Sequence, residues 1–142
     1  MQWFVFALLS ALFAGLVTIF AKIGLKTIDS SLVAIIRSIF VVLTLLLFGV
    51  FSGKLSTFSP NLFWGREGVF IILSGVAGAI SWLFYFWALR TGNASQVASI
   101  DKLSLVFIVL FSAVFLAEKI TWQVILGAIL MISGAVLISW PH

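Results

Sequence analysis

The chain has 142 residues, 63% of them hydrophobic and 8% charged, with a formal net charge of +4 and a mean hydropathy of +1.32. A soluble domain carries about 25% charged residues, so this composition lacks the polar side chains to cover a water-facing globule. There is no cysteine, which removes disulfides, thiolate metal sites and thiol nucleophiles. The one histidine is His142, the last residue, read as a solvated tail rather than a ligand.

Apolar stretches fall at about 3–21, 32–51, 68–89, 94–117 and 121–140. Each approaches the ~20 residues a helix needs to cross ~30 Å of hydrocarbon. Lipid cannot satisfy open backbone groups and no stretch alternates as a barrel strand does, so each is expected to be helical. The expected class is an all-α integral membrane protein with five transmembrane helices, residues 1–142 forming one domain.

The first span lacks a basic leader and exceeds the length of a signal peptide's apolar region, so it is read as retained. At 100° per residue, Ala7, Ser10, Ala11, Ala14, Gly15, Thr18, Ala21 and Lys22 share one side, and bulky Leu, Ile and Phe take the other. The small side suits close helix packing or the lining of a cavity. The connector KTIDSS (26–31) precedes the second span, which carries Arg37 about six residues in. After SGKLSTFSPNLFWGRE (52–67), the third span groups Ser74, Ala77, Gly78, Ser81, Tyr85 and Ala88, with Trp82 beside them. Hydroxyls and amphipathic rings among small residues fit a solute-lining surface. RTGN (90–93) leads into the fourth span, where Asn93 with Gln96 resembles a capping box. Asp101 and Lys102 are about 100° apart on that helix. Asp101 shares its face with Val97, Ser104, Ile108 and Ser112, whereas Lys102 looks toward Ala98, Val109 and Ala113. Thr121 is the expected N-cap of the fifth span, whose stripe of Gly127, Ala128, Gly134 and Ala135 has no polar member and reads as pure packing. Trp3, Trp64, Trp87, Trp122 and Trp140 lie near span ends, as an interfacial aromatic belt requires, and Trp82 is the exception.

Five spans place the termini on opposite sides of the membrane. Lys54, Arg66 and Lys119 belong to the side of the N-terminus; Lys22, Lys26 and Arg90 belong to the other, joined by the embedded Arg37 and Lys102. The positive-inside signal is weak, with a lean toward a cytoplasmic C-terminal side; such balance fits a chain that inserts in both orientations and equally one whose loop charges do not encode its orientation. A charge at the bilayer centre costs at least ~2.5–3.5 kcal/mol, so Arg37, Asp101 and Lys102 each need a partner, water or a route to the interface. Two readings stand side by side. In one, Lys22, Arg37, Asp101 and Lys102 bind or gate a polar solute. In the other, Arg37 and Asp101 form a structural ion pair while Lys22 and Lys102 snorkel.

The basic residues stand singly, which leaves no nucleic-acid patch. No nucleophile–base pair, metal-ligand cluster or phosphate loop is present, so no enzyme, metal or cofactor is expected.

The stretch from Ala88 to Ser139 resembles the C-terminal half of an EamA domain, of the drug/metabolite transporter superfamily. The shared features are Ala88-Leu89-x-x-Gly92, then A-S-x-V-A-x-x-x-x-L-S over 94–104, the E-K-I-T turn at 118–121, and G-A-x-L-x-x-x-G over 127–134. Lys22 and Arg37 match a lysine ending helix one and an arginine early in helix two. The D-K-L-S tetrad (101–104) looks like the short bacterial and archaeal branch. Larger members carry two such domains in opposite orientation around a central cavity. The resemblance therefore implies one half-transporter repeat in a prokaryotic plasma membrane, working as a homodimer, most simply antiparallel. It implies a permease for a small metabolite; from the faces and embedded charges above, the candidate substrate-binding or gating set is Asp101, Lys102, Arg37, Lys22, Tyr85, Trp82, Ser81 and Ser104, with helix packing at Gly15, Gly78, Gly127 and Gly134. The net positive cluster favours an anionic or zwitterionic solute. Small multidrug exporters of the superfamily use a glutamate in helix one, and span one here has no carboxylate. A non-transporting membrane scaffold, or a subunit of a hetero-oligomeric complex, is the alternative.

Overall fold

A computed structural model describes residues 2–59, 63 and 65–140. Among the described residues all regular structure is helical: α1 (Gln2–Gly24), α2 (Ser30–Phe51), α3 (Arg66–Thr91), α4 (Ala94–Asp101), α5 (Ser104–Phe115) and α6 (Trp122–Ser139), with a 3-10 turn at Lys54–Thr57. Counting α4 and α5 together as Ala94–Phe115, five segments are long and apolar enough to cross a bilayer. The protein is an all-α, multi-pass membrane protein. Its residues form two compact units: residues 1–22 with 91–142, and residues 23–90.

Large apolar side chains face outward along the spans; Phe13, Phe40 and Phe107 are 61%, 65% and 58% exposed. In water each square ångström of such surface would cost ~25 cal/mol, a penalty that hydrocarbon removes. Trp3 opens α1, Trp122 opens α6, Trp140 follows its end, and Trp87 lies in the last turns of α3, all of them exposed. These four sit where an aromatic belt needs them; Trp64 and His142 lie outside the described residues.

In the unit of residues 23–90, α2 begins at a cap that the sequence reading passed over. Asp29 has extended backbone and its carboxylate accepts the amides of Ser31 (2.9 Å) and Leu32 (3.4 Å). The same carboxylate meets the guanidinium of Arg90, near the end of α3, at 2.9 Å. Trp87 Nε1, one turn back, donates to Ser31 Oγ (3.3 Å), so two side-chain contacts join the ends of α2 and α3. The Ser31 amide is the chief influence holding the Asp29 carboxyl below its usual range, against an opposing desolvation and helped by the Leu32 amide and Arg90. At the other end α2 stops where Gly53 takes a left-handed φ of 68°, a conformation that costs other residues ~1–2 kcal/mol. The 3-10 turn then folds back on α2: a Cβ on Gly49 would lie 2.8 Å from Leu55 Cδ1.

In the other unit, α6 packs against α4 and α5. Asn93 and Thr121 take up extended N-cap backbone at the positions expected of them, yet neither side chain makes the capping hydrogen bond. The capping box at Asn93 and Gln96 is therefore a matter of position only. The expected helix over 94–117 is also not continuous. The Leu103 amide turns to Ile100 O (2.9 Å), and those of Leu105 and Val106 turn to Lys102 O (3.1 Å) and Leu103 O (2.9 Å). This i→i−3 pattern tightens the helix at Asp101–Ser104. Past the end of α5 and its C-cap Leu116, Ala117 takes a left-handed φ of 53° without being glycine.

A Cβ added at Gly15, Gly78, Gly127 or Gly134 would meet no heavy atom within 4 Å.

Two stability predictions follow from the caps. Ala117→Gly relieves the left-handed strain and is expected to raise unfolding stability in detergent by about 1 kcal/mol, read from a denaturant or thermal titration. For Asp29, a folded pKa below the unfolded value means its contribution is complete above the unfolded pKa and is lost as pH falls through the folded one. Asp29→Asn keeps a good cap but cannot ionise. Its melting temperature is expected to lie below that of the wild type at about pH 6, and the gap is expected to narrow as pH falls below the ordinary carboxylate range and through the folded pKa.

Candidate functional site

Arg37 is the embedded cation whose surroundings bear most on function. It lies seven residues into α2, about 10 Å along the helix. Its guanidinium carbon sits 4.1 Å from the centroid of the Trp82 ring and 5.8 Å from that of Phe86, both on α3. Stacking on tryptophan stabilises a guanidinium by ~0.5–2 kcal/mol, against at least ~2.5–3.5 kcal/mol for placing an arginine at membrane depth. The stack covers the face of the group but uses none of its N–H donors. Nη1 is buried and has no hydrogen-bond partner among the described residues. A buried, charged donor of that kind is costly until an acceptor reaches it.

Trp82 also forms part of the wall of an open apolar cleft between α2 and α3, about 500 Å³ in volume. Ala34, Ser38 and Val42 line it from one helix, and Ala79, Trp82 and Leu83 from the other. Its one hydroxyl, Ser38 Oγ, already donates to Ala34 O (2.8 Å). A cationic edge and an apolar hollow thus share one indole. Tyr85 is half-buried with its ring edge-on to Phe86 (5.9 Å between centroids), and Ser81 is exposed. Of the third-span residues expected to face solute, Trp82 meets the guanidinium of Arg37.

In the other unit, Lys22 Nζ donates to Gly92 O at 2.8 Å. That bond ties the end of α1 to the turn before α4, where the sequence reading had Lys22 snorkelling or gating. Asp101 and Lys102 are exposed, at the last residue and the C-cap of α4. The tightened turn changes the face assigned to them. A 3-10 step rotates about 20° further than an α step, and residues three apart then eclipse. Asp101 is therefore brought into line with Ser104, but the stripe through Ile108 and Ser112 drifts away from it. Rerouting the Leu103 and Leu105 amides also deprives the Ser99 and Asp101 carbonyls of their regular helical partners. The charged pair marks a place where the helix is broken, which residue spacing alone does not reveal. Asp29 and Arg90 were likewise not singled out from sequence, although an aspartate just ahead of Ser-Ser and an apolar run is a recognisable cap signal.

Comparison with known proteins gives one consistent result. The model of the EamA-like transporter family matches residues 1–140. A Sinorhizobium protein named as an uncharacterized transporter in the cobO 3′ region is 38% identical over 138 residues, covering 97% of this chain and 96% of that one. The uncharacterized protein MJ1333.1 of Methanocaldococcus jannaschii is 27% identical over 135 residues, covering 95% of this chain and 94% of that protein. The pseudopaline exporter CntI of Pseudomonas aeruginosa is 32% identical over 77 residues, which are 54% of this chain and 27% of the exporter, so the exporter is twice as long. No solved structure shows a significant match.

Proposed function

Because the chain belongs to the EamA-like transporter family, we propose that it is a small-molecule permease of a prokaryotic plasma membrane, working by alternating access as a homodimer. The observation that carries the reading is Arg37: a guanidinium at membrane depth, stacked on Trp82, with one donor buried and unsatisfied. A purely structural arginine is satisfied by its own protein, whereas one with a spare donor beside a cleft is suited to a passing anionic or zwitterionic solute. The break at Asp101–Ser104 supports the moving part of the mechanism. Mid-helix 3-10 segments often mark hinges, and discontinuous membrane helices recurrently form the solute and ion sites of secondary transporters. Asp101 is the proposed proton carrier, since it is exposed at that break, and Lys102 and Ser104 flank it there. Lys22, fixed to Gly92, holds the turn from which the broken helix starts.

The homodimer rests on length and on faces. The Sinorhizobium transporter is covered to 96% by the match and the Methanocaldococcus jannaschii protein to 94%, whereas the CntI exporter is twice as long, which fits two short chains standing where the exporter has one. Gly15, Gly78, Gly127 and Gly134 have open space before them, as a surface awaiting a second copy would. The nearly balanced loop charges favour an antiparallel pair.

Two measurements test this reading. In proteoliposomes loaded with a pH-sensitive dye, a mixture of amino acids and small carboxylic acids is expected to drive proton movement. Asp101→Asn is expected to abolish that movement while the protein stays monodisperse; unchanged flux in the variant removes Asp101 from coupling. For topology, a C-terminal tag expressed at native level is expected to be accessible from both faces of the membrane in comparable amounts, and access from one face alone excludes the antiparallel dimer.

A further inference from the structure

From the pairing of the Arg37 edge with the α2–α3 cleft, we infer that the solute is an amphiphilic monoanion: one carboxylate on a compact apolar body, aromatic or branched. This deepens the permease reading and rests on it for the word solute, although binding itself does not require transport.

Two independent features specify the two ends of such a molecule. Arg37 provides the charged end. Its guanidinium carbon lies over the Trp82 ring at 4.1 Å, and Nη1 is buried without a partner among the described residues, so a ligand acceptor reaches that nitrogen by displacing the side chains that cover it beside the cleft. The in-plane edge of a guanidinium presents parallel N–H donors, which a carboxylate accepts in a fork. A neutral amide offers one acceptor oxygen and no charge. A cation is repelled.

The cleft provides the apolar end. It is large enough, at about 500 Å³, for a small organic body, and such sites are lined mainly by apolar side chains with a few polar groups that fix orientation. Ala34 and Ala79 leave the space open from either helix, Leu83 and Val42 line it, and the Ser38 hydroxyl is committed to its own helix. Apart from the Ser38 hydroxyl, which already donates to its own helix, the lining's one polar group is the Trp82 indole N–H, so sugars, polyols and dicarboxylates, which need several partners, fit poorly. Trp82, which borders both features, sets the charged group and the apolar body next to one another. A free small acid and the acyl carboxylate of a lipid-derived acid share this chemistry, and the test separates them.

The test uses the whole chain in phosphatidylcholine nanodiscs, with radiolabelled 3-phenylpropionate as probe and no ion gradient. Saturable binding is expected, competed by 4-methylpentanoate but not by 3-phenylpropanamide. Arg37→Gln is expected to weaken it at least tenfold and Arg37→Lys to restore part of the loss. Ala79→Phe, which fills the cleft and leaves Arg37 in place, is expected to weaken it comparably, with size-exclusion profiles unchanged in all variants. Equal competition by the amide, wild-type binding in folded Arg37→Gln, or no binding by any of the acids overturns the inference. Addition of oleate distinguishes the source: displacement of the probe at substoichiometric oleate assigns the site to a lipid-derived acid, and its retention assigns it to a free small acid. Because binding is scored without flux, its failure removes the substrate class and leaves the permease to the proton assay. Binding without any solute-driven flux supports this site and removes the permease reading.

Discussion

Hydrocarbon offers no hydrogen bonds, and that single constraint orders everything else in this chain. It makes each apolar stretch a helix, because only a helix satisfies its own amides and carbonyls within one segment. It also turns side-chain hydroxyls inward on their own backbones: Thr18, Ser38, Thr44, Ser99 and Ser133 each donate to the carbonyl four residues earlier. Against that background the exceptions stand out. They are a guanidinium with a donor to spare and a helix whose regular bonding fails at one turn.

The two exceptions differ in kind. Arg37 is a side chain lacking an acceptor, held in place by the Trp82 ring, and its demand is for something negative and planar. The Asp101–Ser104 turn is backbone lacking regularity, and its surplus is of carbonyls. In the permease proposed above, the first is the element that holds a solute and the second the element that bends around it. The charges outside the hydrocarbon have simpler work. Asp29 and Arg90 meet in the open, their side chains 53% and 52% exposed, where an ion pair contributes little on its own. Asp29 matters more as a cap, because it satisfies two amides that would otherwise end α2 unbonded.

Much of the architecture was legible in the residues. Five spans, their limits within a few positions, the tryptophans at their ends and the family all follow from local properties: run length, side-chain polarity and short motifs. The helix starts at Asn93 and Thr121 were placed correctly for the same reason, although the expected side-chain bonds are absent. The break in the fourth span was not legible. Every residue from Ile100 to Ser104 is tolerated in a helix, and periodicity analysis assumes a constant turn angle, so a local 3-10 segment is invisible to it. The faces drawn for Asp101 inherited that error.

Sequence by itself determined the class of this protein, because membrane insertion responds to the summed hydrophobicity of a segment and not to its neighbours in space. It also marked Arg37, Asp101 and Lys102 as residues that need a reason, since charge at membrane depth is costly wherever it occurs. Only the tertiary structure decided what the reasons are. Trp82 and Arg37 are 45 positions apart, and Lys22 and Gly92 are 70 apart. Their meeting depends on which helix faces are brought together, a property of packing that no single segment contains.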